Sequence, residues 1–585
     1  MVFSKEEYNL VEDILLNGNH FNRQQRAFIE LFESKIIIAS PGAGKTTSLA
    51  AKIILLLRYL YENGSRDGVC IITHTNVAVN EINTALQKAG IKSVSHPHFI
   101  GTIHEFFNRF CVTPYFKKEY GHNALVFGGP ENNDKQFYKR YIGIKKSWIK
   151  QEKFRGFHKS IVNKIYNNPI FYNEKSEKID MINRDNWAKF EKYKQDMIEA
   201  KLSRKMRGFL QYDDTFLFSK LFLNDLKFKS VIRNRFKYVF IDEFQDTTVE
   251  GIILLKEIFN DPKNVIQMVG DPYQTIMYEQ PMPTLQENQL YRMNLSNRFG
   301  NAVALPLNQI MPEANIQVKE GKESFKPIIL VYQEEQSIYP AYKNILDEYE
   351  RENSIFKECD KADKVLIRNK GWASRVKEGV TYSKKKTNKR ISKNVQLKNL
   401  IIDFICGEII DEQMQPQDLK EWVINHPKIH EMNNILLNIL KCNLNDDRKK
   451  QIRDIINCLL TEKNQETINV NNSLFRECES ILHSNEYIEE NTSKDINDIF
   501  TIHSVKGETL RSALIVNFDK GPLVDILLHQ YGILDEINYK YTDRNLLYVA
   551  LSRVTCLFVF AIHEDELTDE ARERLSIHWI VRGIN

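Results

Sequence analysis

The sequence lacks a marked excess of charge of either sign, clustered cysteines and long apolar runs. Its 81 Lys and Arg residues nearly balance 77 Asp and Glu residues, and the net charge of +4 is too small to identify a nucleic-acid-binding protein. The eight cysteines form no C-x-x-C pair and no Cys/His cluster at zinc spacing, so we expect reduced thiols and no structural metal. No secretory or membrane-spanning segment is recognisable, and we therefore expect a cytoplasmic protein with no membrane partner.

Short apolar runs that end in polar loops recur along the 585 residues, and helical periodicity follows each run. This alternation is typical of an α/β fold with parallel strands, which are buried on both faces. Two sets of runs occur, and we predict one sheet from each. The first set is 35–39, 69–73, 238–242 and 265–269, and the second is 328–332, 365–368, 500–502, 512–516 and 557–561.

Two long helical stretches interrupt these sets. Residues 106–212 separate the second and third strands of the first set, and residues 376–494 split the second set. We predict that both are helical insertions. The first α/β domain then comprises residues 1–105 and 213–300, and the second comprises residues 301–375 and 495–585.

Residues 39–46 have the spacing of a Walker A phosphate loop, with Ala39 in place of the first glycine. In such a loop backbone N–H groups converge on phosphate oxygens, Lys45 reaches the β- and γ-phosphates, and the Thr46 hydroxyl binds Mg²⁺. A glycine-dependent turn is the alternative, but Gly-Lys-Thr directly after the turn favours phosphate binding. The predicted nucleotide contacts here are Ser40, Pro41, Gly42, Ala43, Gly44, Lys45, Thr46 and Thr47.

An acidic pair, Asp242 and Glu243, ends the predicted strand at 238–242. An acid at the end of a strand can bind Mg²⁺, and its neighbour can polarise an attacking water. Such a pair alone is more often a solvated turn. Together with the phosphate loop it predicts hydrolysis of a nucleoside triphosphate, and a small-molecule kinase is the alternative at this point.

Nine further motifs follow one another in an order that resembles superfamily 1 helicases of the UvrD/Rep/PcrA kind. Residues 21–26 resemble the Q motif, 73–76 motif Ia, 101–104 the following single-strand motif, 212–214 the short acidic motif, 242–247 motif II, 270–276 motif III, 295–298 motif IV, 501–507 motif V and 548–553 motif VI. The resemblance spans nearly the whole chain apart from the two insertions. It implies two RecA-like domains of the P-loop NTPase class, each with a mainly helical insertion.

The resemblance also implies ATP and Mg²⁺ as ligands and a role for each motif residue. Glu243 would be the general base, Gln274 would sense the γ-phosphate, and Gln25 would recognise adenine. Arg298 and Arg553 would stabilise phosphate charge from opposite sides of the cleft, where a planar guanidinium suits phosphate geometry. The metal ligands would be Thr46 and Asp242.

Several positions depart from the family pattern. His74 replaces a DNA-stacking phenylalanine and Asn297 an adenine-stacking tyrosine, a role for which Phe299 is an alternative. Tyr278 follows motif III as a displaced stacking residue, and the acid of motif V is shifted to Glu508. The DNA contacts that the resemblance implies are Thr73, His74, Asn76, Thr102, His104, Tyr278 and His503.

Two stretches combine many basic residues with few acids. Residues 139–164 contain nine Lys or Arg against one acid, and Tyr141, Trp148, Phe154 and Phe157 interleave with them. This pattern is typical of a single-strand surface, but it equally suits a helix with a core-facing aromatic stripe and a solvated basic face. Residues 364–398 contain twelve basic residues and one acid. This stretch is consistent with a loop that contacts phosphates and also with a loop that only increases solubility.

We therefore expect an ATP-dependent DNA translocase or helicase of the UvrD-like type that acts on single-stranded or tailed duplex DNA. Motif II and the motif at 101–104 favour movement 3′ to 5′, which is our prediction, whereas residues 548–553 and 76–79 also resemble relatives that move 5′ to 3′. A less specific resemblance, based on size and on residues 505–509, is to the helicase subunit of Gabija-type antiphage systems. It implies a nuclease subunit as a partner in antiphage defence or repair. The alternative is an ATP-gated DNA-binding regulator that senses DNA ends or nucleotide and activates a partner nuclease without processive unwinding.

Overall fold

A computed structural model describes residues 1–91, 94–121, 125–128, 131–276, 287–378, 393–409, 419, 422–424, 426–442, 444–483, 498–535 and 537–584. The chain divides into two compact units. The first unit is Met1–Ile103, Val231–Lys384 and Lys494–Asn585, and the second is His104–Ser230 with Lys385–Ser493. Within the described residues, no helix combines the length and the apolar character that a membrane span requires.

The strands form two large sheets and three two-stranded pairs. In chain order they are β1 (Lys35–Ala39), β2 (Gly68–Thr73), β3 (Phe99–Thr102), β4 (Val126–Phe127), β5 (Ile170–Asn173), β6 (Lys178–Met181), β7 (Phe209–Leu210), β8 (Phe236–Asp242), β9 (Val265–Gly270), β10 (Leu290–Met293), β11 (Leu295–Ser296), β12 (Gln317–Val318), β13 (Ile328–Tyr332), β14 (Asp363–Ile367), β15 (Ile499–Thr501), β16 (Leu510–Val516), β17 (Val554–His563) and β18 (Ile580–Gly583).

The principal α-helices connect and cover these strands. They are α1 (Lys5–Leu16), α2 (Arg23–Glu30), α3 (Lys45–Glu62), α4 (Asn76–Lys88), α5 (Ile103–Phe107), α6 (Thr113–Tyr120), α7 (Glu131–Lys145), α8 (Arg155–Asn167), α9 (Phe190–Met206), α10 (Asp214–Leu223), α11 (Leu226–Arg235), α12 (Val249–Phe259), α13 (Asn301–Ile310), α14 (Ile338–Glu352), α15 (Ser354–Glu358), α16 (Ala373–Val376), α17 (Lys393–Glu408), α18 (Pro427–Cys442), α19 (Asp446–Glu462), α20 (Ser473–His483), α21 (Pro522–Gln530), α22 (Tyr541–Leu551) and α23 (Asp569–Leu575).

The first sheet has the strand order β10-β1-β9-β8-β2-β3, and every neighbouring pair is parallel. Its inner strands are runs of Ile, Val and Phe that are buried on both faces, as parallel sheets require. Because all strands run the same way, the residues that follow β1, β2, β8 and β9 meet at one edge. This edge positions the phosphate loop, His74, Asp242 and Asp271.

The second sheet has the order β15-β14-β16-β17-β13-β18 and is also parallel throughout. Hydrophobic clusters cover both of its faces, one including α13, α21 and α22 and the other including α14 and α16. Both six-stranded sheets lie in the first unit. The prediction of an α/β fold with two RecA-like parallel sheets is confirmed.

The second unit is mainly helical and contains the bulk of both predicted insertions. One hydrophobic cluster joins α7, α8, α9 and α10, and another joins α17 to α20. Arg140 on α7 forms an ion pair with Glu408 on α17, so the two chain segments contact each other within this unit. The unit also contains residues 213–230, which the sequence assigned to the first α/β domain, and the domain boundaries stay a prediction.

Candidate nucleotide-binding site

The phosphate loop connects β1 to α3 and has the backbone that its glycines predict. Gly42 and Gly44 have φ angles of 79° and 75°, in the left-handed region that favours glycine. A Cβ atom at Gly42 would lie 2.5 Å from Ser296 Oγ and 2.6 Å from Arg298 Cβ. The loop is therefore packed directly against the segment that carries Arg298, and a side chain at position 42 would force the two apart.

A cleft of about 620 Å³ opens in front of this loop, within the first unit. Its lining comes from the connections of both sheets: Ala39, Ser40, Pro41, Gly42, Ala43, Gly44, Lys45, Thr46, Thr47, His74, Thr75, Val77, Ala78, Glu81, Asp242, Glu243, Asp246, Gln274, Arg298, His503, Lys506, Gly507 and Arg553. The structure thus brings together every residue predicted for the nucleotide and the metal except Gln25. The roles of these residues remain predictions.

The acidic pair and Lys45 form the charged centre of the cleft. Lys45 Nζ forms an ion pair with Glu243 Oε1. Burial alone would raise the pKa of Glu243, but Lys45 outweighs burial and the pKa of Glu243 is lowered. Asp242 is fully buried, and burial raises its pKa to about 7. Glu243 is therefore the more acidic of the two carboxyl groups.

Glu243 has an unusual backbone conformation for a residue with a side chain. Its φ of 50° and ψ of 45° lie in the left-handed region, which costs roughly 1–3 kcal/mol for a non-glycine residue and is typical of functional sites. Its N–H donates to Asp242 Oδ1 at 3.0 Å, and Gln245 Nε2 donates to its Oε2. These bonds and the Lys45 ion pair hold the carboxylate over the cleft.

Arg298 and Arg553 reach the cleft from different segments and already have protein partners. Arg298 Nη1 donates to Ser552 O at 2.8 Å, and Arg553 Nη2 donates to Gln274 Oε1 at 2.7 Å. Burial and the nearby Arg553 lower the pKa of Arg298 to about 9. Arg553 is buried and Arg298 is half-buried, and neither contacts a carboxylate among the described residues. This environment favours an anionic ligand.

Asp271 and Lys506 complete the polar network, and the sequence analysis gave neither of them a site role. Asp271 Oδ2 accepts from Gln274 Nε2 at 2.7 Å, and burial raises the pKa of Asp271 to about 6. Lys506 Nζ donates to Asp246 Oδ1 at 2.6 Å and to Gln274 O at 2.7 Å. Lys506 thus joins the connection after β15 to two motifs of the first sheet. The position of Lys506 next to Gly507 in motif V is the sequence feature that could have indicated its role in the site.

Three positions bear on base recognition: Gln25, which was predicted to recognise adenine; Asn297, which replaces the stacking tyrosine; and Phe299, its alternative. Gln25 Nε2 donates to Ala43 O at 3.0 Å, and the Asn297 N–H donates to Gly42 O at 2.9 Å. Phe299 is fully buried in the hydrophobic core of the second sheet. The alternative that Phe299 stacks on adenine is therefore wrong, because its ring is packed in a core.

The residues predicted to contact DNA are dispersed. Thr73 is buried and its hydroxyl donates to Thr75 O at 3.0 Å, whereas Asn76 is exposed at the start of α4. His74 and His503 line the nucleotide cleft, and His503 Nε2 donates to Ile276 O at 3.3 Å. Thr102 ends β3 and is half-buried. These DNA contacts stay predictions.

His104 belongs to the second unit, and Tyr278 lies outside the described residues. The ring centroid of His104 lies 5.9 Å from that of Tyr212 and 5.1 Å from that of Phe216. Tyr212 is exposed, so a strand could reach this small aromatic group.

The two basic stretches differ in how far their charges are paired. In the later stretch Lys364 pairs with Glu508, Arg368 with Asp543 and Arg375 with Glu335, and residues 379–392 lie outside the described part of the chain. In the stretch 139–164, Lys145, Lys146 and Lys164 are also paired with acids. Four others, Lys150, Lys153, Arg155 and Lys159, are exposed and have no acidic partner within the described residues.

Comparison with known proteins finds a family model that is similar to the N-terminal part of the chain. Residues 21–279 match the model of the UvrD/REP helicase N-terminal domain. This range contains the phosphate loop, Asp242, Glu243 and Gln274. The match therefore covers the part of the cleft that the first sheet contributes.

Two curated relatives are similar over part of their length. A probable DNA helicase II homolog of Mycoplasma capricolum subsp. capricolum is 25% identical over 294 residues, which are 49% of this chain and 38% of the relative. The ATP-dependent DNA helicase srs2 of Schizosaccharomyces pombe is 26% identical over 252 residues, which are 41% of this chain and 28% of the relative. The matches thus span well under half of either relative. Both relatives carry the name of a DNA helicase, and the similarity to each is partial.

Proposed function

We propose that this protein is an ATP-driven DNA translocase of the UvrD-like type that moves 3′ to 5′ along single-stranded DNA. One observation carries the proposal: Lys45, Arg298 and Arg553 line a single cleft together with Glu243, which pairs with Lys45, and the buried Asp242. Cations from separate segments around a phosphate loop, with an acid beside them, are the groups that phosphoryl transfer to water requires.

The residues of the cleft fit a nucleotide bound with Mg²⁺. Asp242 Oδ1 is engaged by the Glu243 N–H, and Oδ2 has no partner among the described residues. Thr46 lines the same cleft and would complete a set of one carboxylate and one hydroxyl, which suits Mg²⁺ bound with phosphates. The metal would supply neutralisation of phosphate charge. Lys45 would bind the phosphates, and Glu243 would accept a proton from the attacking water.

Contacts across the cleft suggest how hydrolysis is coupled to movement. Arg553 and Lys506 come from the connections of the second sheet, and both bind Gln274 of the first. A bound γ-phosphate offers these cations a stronger partner than a neutral amide or carbonyl. Its release returns them to Gln274, and the two sheets alternate between two arrangements that grip DNA differently.

A surface on the second unit supports DNA as the substrate. This basic–aromatic face consists of the exposed Trp148 and the half-buried Phe154, Phe157 and Trp187, with the exposed Lys150, Lys153, Arg155, Lys159, Lys189 and Lys192. The three half-buried rings pack against the hydrophobic core of the second unit. Trp148 is 37% exposed and stacks on Phe157, with ring centroids 6.0 Å apart and an interplanar angle of 25°. Lysine ammonium groups lie over Phe154 and Phe157, at 5.1 Å and 5.6 Å from the ring centroids. Exposed cations beside an open aromatic ring suit phosphates and bases of a single strand.

We expect the contributions of charge and of base stacking on this face to differ in how they depend on salt concentration. Replacing Lys153, Arg155 and Lys159 together by Gln should make the slope of log K for oligonucleotide binding against log salt about 2 units shallower, since each phosphate contact to single strands contributes about 0.7. Trp148→Ala should instead weaken binding about tenfold at every salt concentration, because one stacked base is lost. Fluorescence anisotropy with a labelled oligonucleotide measures both quantities.

Lys164 offers a matched control for the charge change. Its Nζ lies 2.6 Å from Asp185 Oδ2, so its charge is already neutralised in the protein. Lys164→Gln should leave the slope unchanged. A triple variant with the wild-type slope would contradict a role of this face in binding the strand.

The test of the proposed function measures ATP hydrolysis and strand separation with one preparation. We expect single-stranded DNA to stimulate hydrolysis and a duplex with a 3′ tail to be unwound, whereas a 5′-tailed duplex stays paired. Unwinding of only the 5′-tailed duplex would show that the protein moves 5′ to 3′. Hydrolysis that DNA stimulates without unwinding would favour an ATP-gated regulator over a translocase. An absence of hydrolysis would contradict both functions.

The proposal extends to a nuclease subunit as partner, in antiphage defence or repair. Its support is the resemblance of residues 505–509 to helicase subunits of Gabija-type systems. Co-expression with a nuclease of the OLD type, followed by size-exclusion chromatography, tests this extension. Separate elution of the two proteins would restrict the proposal to the translocase.

A further inference from the structure

We propose that Cys359 and Cys556 form an oxidation site, at which hydrogen peroxide converts two thiols into a reversible disulfide that stabilises the second sheet. The two cysteines are far apart in the sequence, and both are free thiols of the first unit. Cys359 lies in the connection from α15 to β14, and Cys556 is the third residue of β17. We call them the thiol pair. The proposal involves neither a nucleotide nor DNA.

The two side chains of the thiol pair are in contact. Cys359 and Cys556 share a side-chain hydrogen bond, and each Sγ also lies 3.5 Å from Thr555 Oγ1. The Thr555 hydroxyl donates to Leu510 O at 3.0 Å, so its oxygen is available to accept from a thiol. One hydroxyl thus holds both sulfurs in the same place. Formation of a disulfide then requires a movement of the connection that carries Cys359, while β17 keeps its place between two strands.

A bulge in β17 explains how neighbouring residues of one strand reach the same partner. Successive side chains of a regular strand point to opposite faces of the sheet. The register between β16 and β17 shifts just after Leu510, and β17 has one more residue than its partner at this point. A bulge changes the direction of the side chains beside it. Thr555 and Cys556 can therefore both approach Cys359, which a regular strand would not allow.

The two thiols differ in how accessible they are, and this difference assigns a role to each. Cys359 is half-buried between the exposed Glu358 and Asp360, whereas Cys556 is only 4% exposed. Burial raises the pKa of Cys556 to about 11, so this thiol stays protonated at neutral pH. The thiolate is the form that attacks an oxidant. Cys359 is therefore the thiol that meets the peroxide, and Cys556 is the thiol that closes the disulfide.

Arg511 supplies a positive charge beside the thiol pair. Its Nη1 donates to Phe356 O at 3.4 Å, and the Cys359 N–H donates to the same carbonyl oxygen at 3.4 Å. Its Nε donates to Asp363 Oδ1 at 3.0 Å, which fixes the guanidinium in this position. The charge of Arg511 acts on the sulfur of Cys359 and opposes the larger effect of burial on Cys556. A nearby cation favours a thiolate, which suits a site of oxidation.

The oxidation takes place in two steps. The Cys359 thiolate attacks one oxygen of hydrogen peroxide; an S–O bond forms, the O–O bond breaks, and the leaving hydroxide takes up the proton that Cys359 lost. Cys556 Sγ then attacks the sulfenic sulfur of Cys359; the S–S bond forms, the S–O bond breaks, and the proton of Cys556 leaves with the second water. The two sulfurs lose two electrons in total, and the peroxide takes them up. A dithiol reverses the reaction by thiol–disulfide exchange.

The disulfide would join two parts of the second sheet that are distant in the chain. It would connect the segment before β14 to β17, and both strands pair with β16 between them. A cross-link between distant residues restricts the unfolded chain and so favours the folded state. We expect the thermal midpoint of the oxidised protein, measured by differential scanning calorimetry, to lie about 2–5 °C above that of the reduced protein. An unchanged midpoint in a protein that carries the disulfide would contradict the stabilising role.

Peptide mapping of the wild-type chain tests the oxidation site directly. The reduced protein is treated with a small excess of hydrogen peroxide, blocked with N-ethylmaleimide, digested and analysed by mass spectrometry. We expect a peptide pair that is joined through Cys359 and Cys556 and that separates after treatment with dithiothreitol. Cys458 is the matched control, since it is also half-buried but its Sγ lies 3.5 Å from Glu462 Oε1, whose negative charge disfavours a thiolate. Absence of the joined peptides, with Cys359 no more oxidised than Cys458, would overturn the proposal.

Two serine variants test the order of the steps. Cys556→Ser should leave Cys359 as a sulfenic acid, which dimedone traps for mass spectrometry. Cys359→Ser should leave Cys556 as a free thiol, because the peroxide meets no accessible thiolate there. Oxidation of Cys556 at the wild-type rate without Cys359 would overturn the assigned roles. If either variant fails to fold, as judged by circular dichroism, the mapping of the wild-type chain still decides whether the disulfide forms.

Discussion

Glu243→Gln is expected to lower kcat for ATP hydrolysis by about 10³-fold while ATP still binds, because the amide cannot accept a proton from the attacking water. The Glu243 carboxylate forms an ion pair with Lys45. The glutamine frees this lysine for phosphate, so the Kd of ATP should stay equal or fall. Single-turnover hydrolysis and titration calorimetry measure the two effects separately.

Glu250 provides the matched control for this substitution. It is exposed near the start of α12, and Glu250→Gln removes the same charge outside the cleft. Its kcat should equal that of the wild type. Continued turnover by Glu243→Gln would remove Glu243 as the base and would direct attention to Asp246, another carboxylate that lines the cleft.

Arg553→Ala is the second change with a large expected effect, a fall in kcat of about 10³-fold or more, as for arginines that stabilise transferring phosphoryl groups. The side chain is buried and binds Gln274 Oε1, Val549 O and Ser552 Oγ. Its loss removes a positive charge from the cleft and also releases the predicted γ-phosphate sensor. Steady-state kinetics at saturating ATP measure the effect.

Arg553→Lys distinguishes charge from shape. A lysine keeps the charge but cannot form the fork that bridges Gln274 and a phosphate, so it should restore only part of the rate. Arg574 is an exposed arginine late in the chain, and Arg574→Ala serves as the control. A wild-type kcat for Arg553→Ala would contradict a role in hydrolysis and would leave Arg298 as the candidate.

The structure contains all nine strands that we predicted from the sequence. The strands of the large sheets that the sequence did not indicate share one physical feature. In the large sheets these are β3, β10 and β18, and all three lie at sheet edges. Inner strands are continuous apolar runs, because helices cover both of their faces. Edge strands are partly exposed; β10, for example, contains Tyr291 and Arg292, and no run of buried residues marks it.

The motifs include most of the residues that line the cleft. Motif spacing could not show which groups these residues contact. Asn297 and Lys506 illustrate the limit, because their roles depend on groups 255 and 260 residues away. An asparagine in a motif has the same local pattern whether it faces a base or a loop carbonyl. The choice is made by tertiary packing, here by the close approach of Gly42 to the segment 296–298.

The hydrogen bonds of Arg298, Arg553 and Lys506 have a consequence for the energy of switching. Each of the three cations has a carbonyl, amide or carboxylate oxygen of the protein as a partner. Entry of a triphosphate therefore exchanges one set of partners for another, and the net free-energy difference is small compared with the individual interactions. In the proposed translocase, the two arrangements of the cleft would therefore be close in free energy. The cleft could then return to its first arrangement at every turnover.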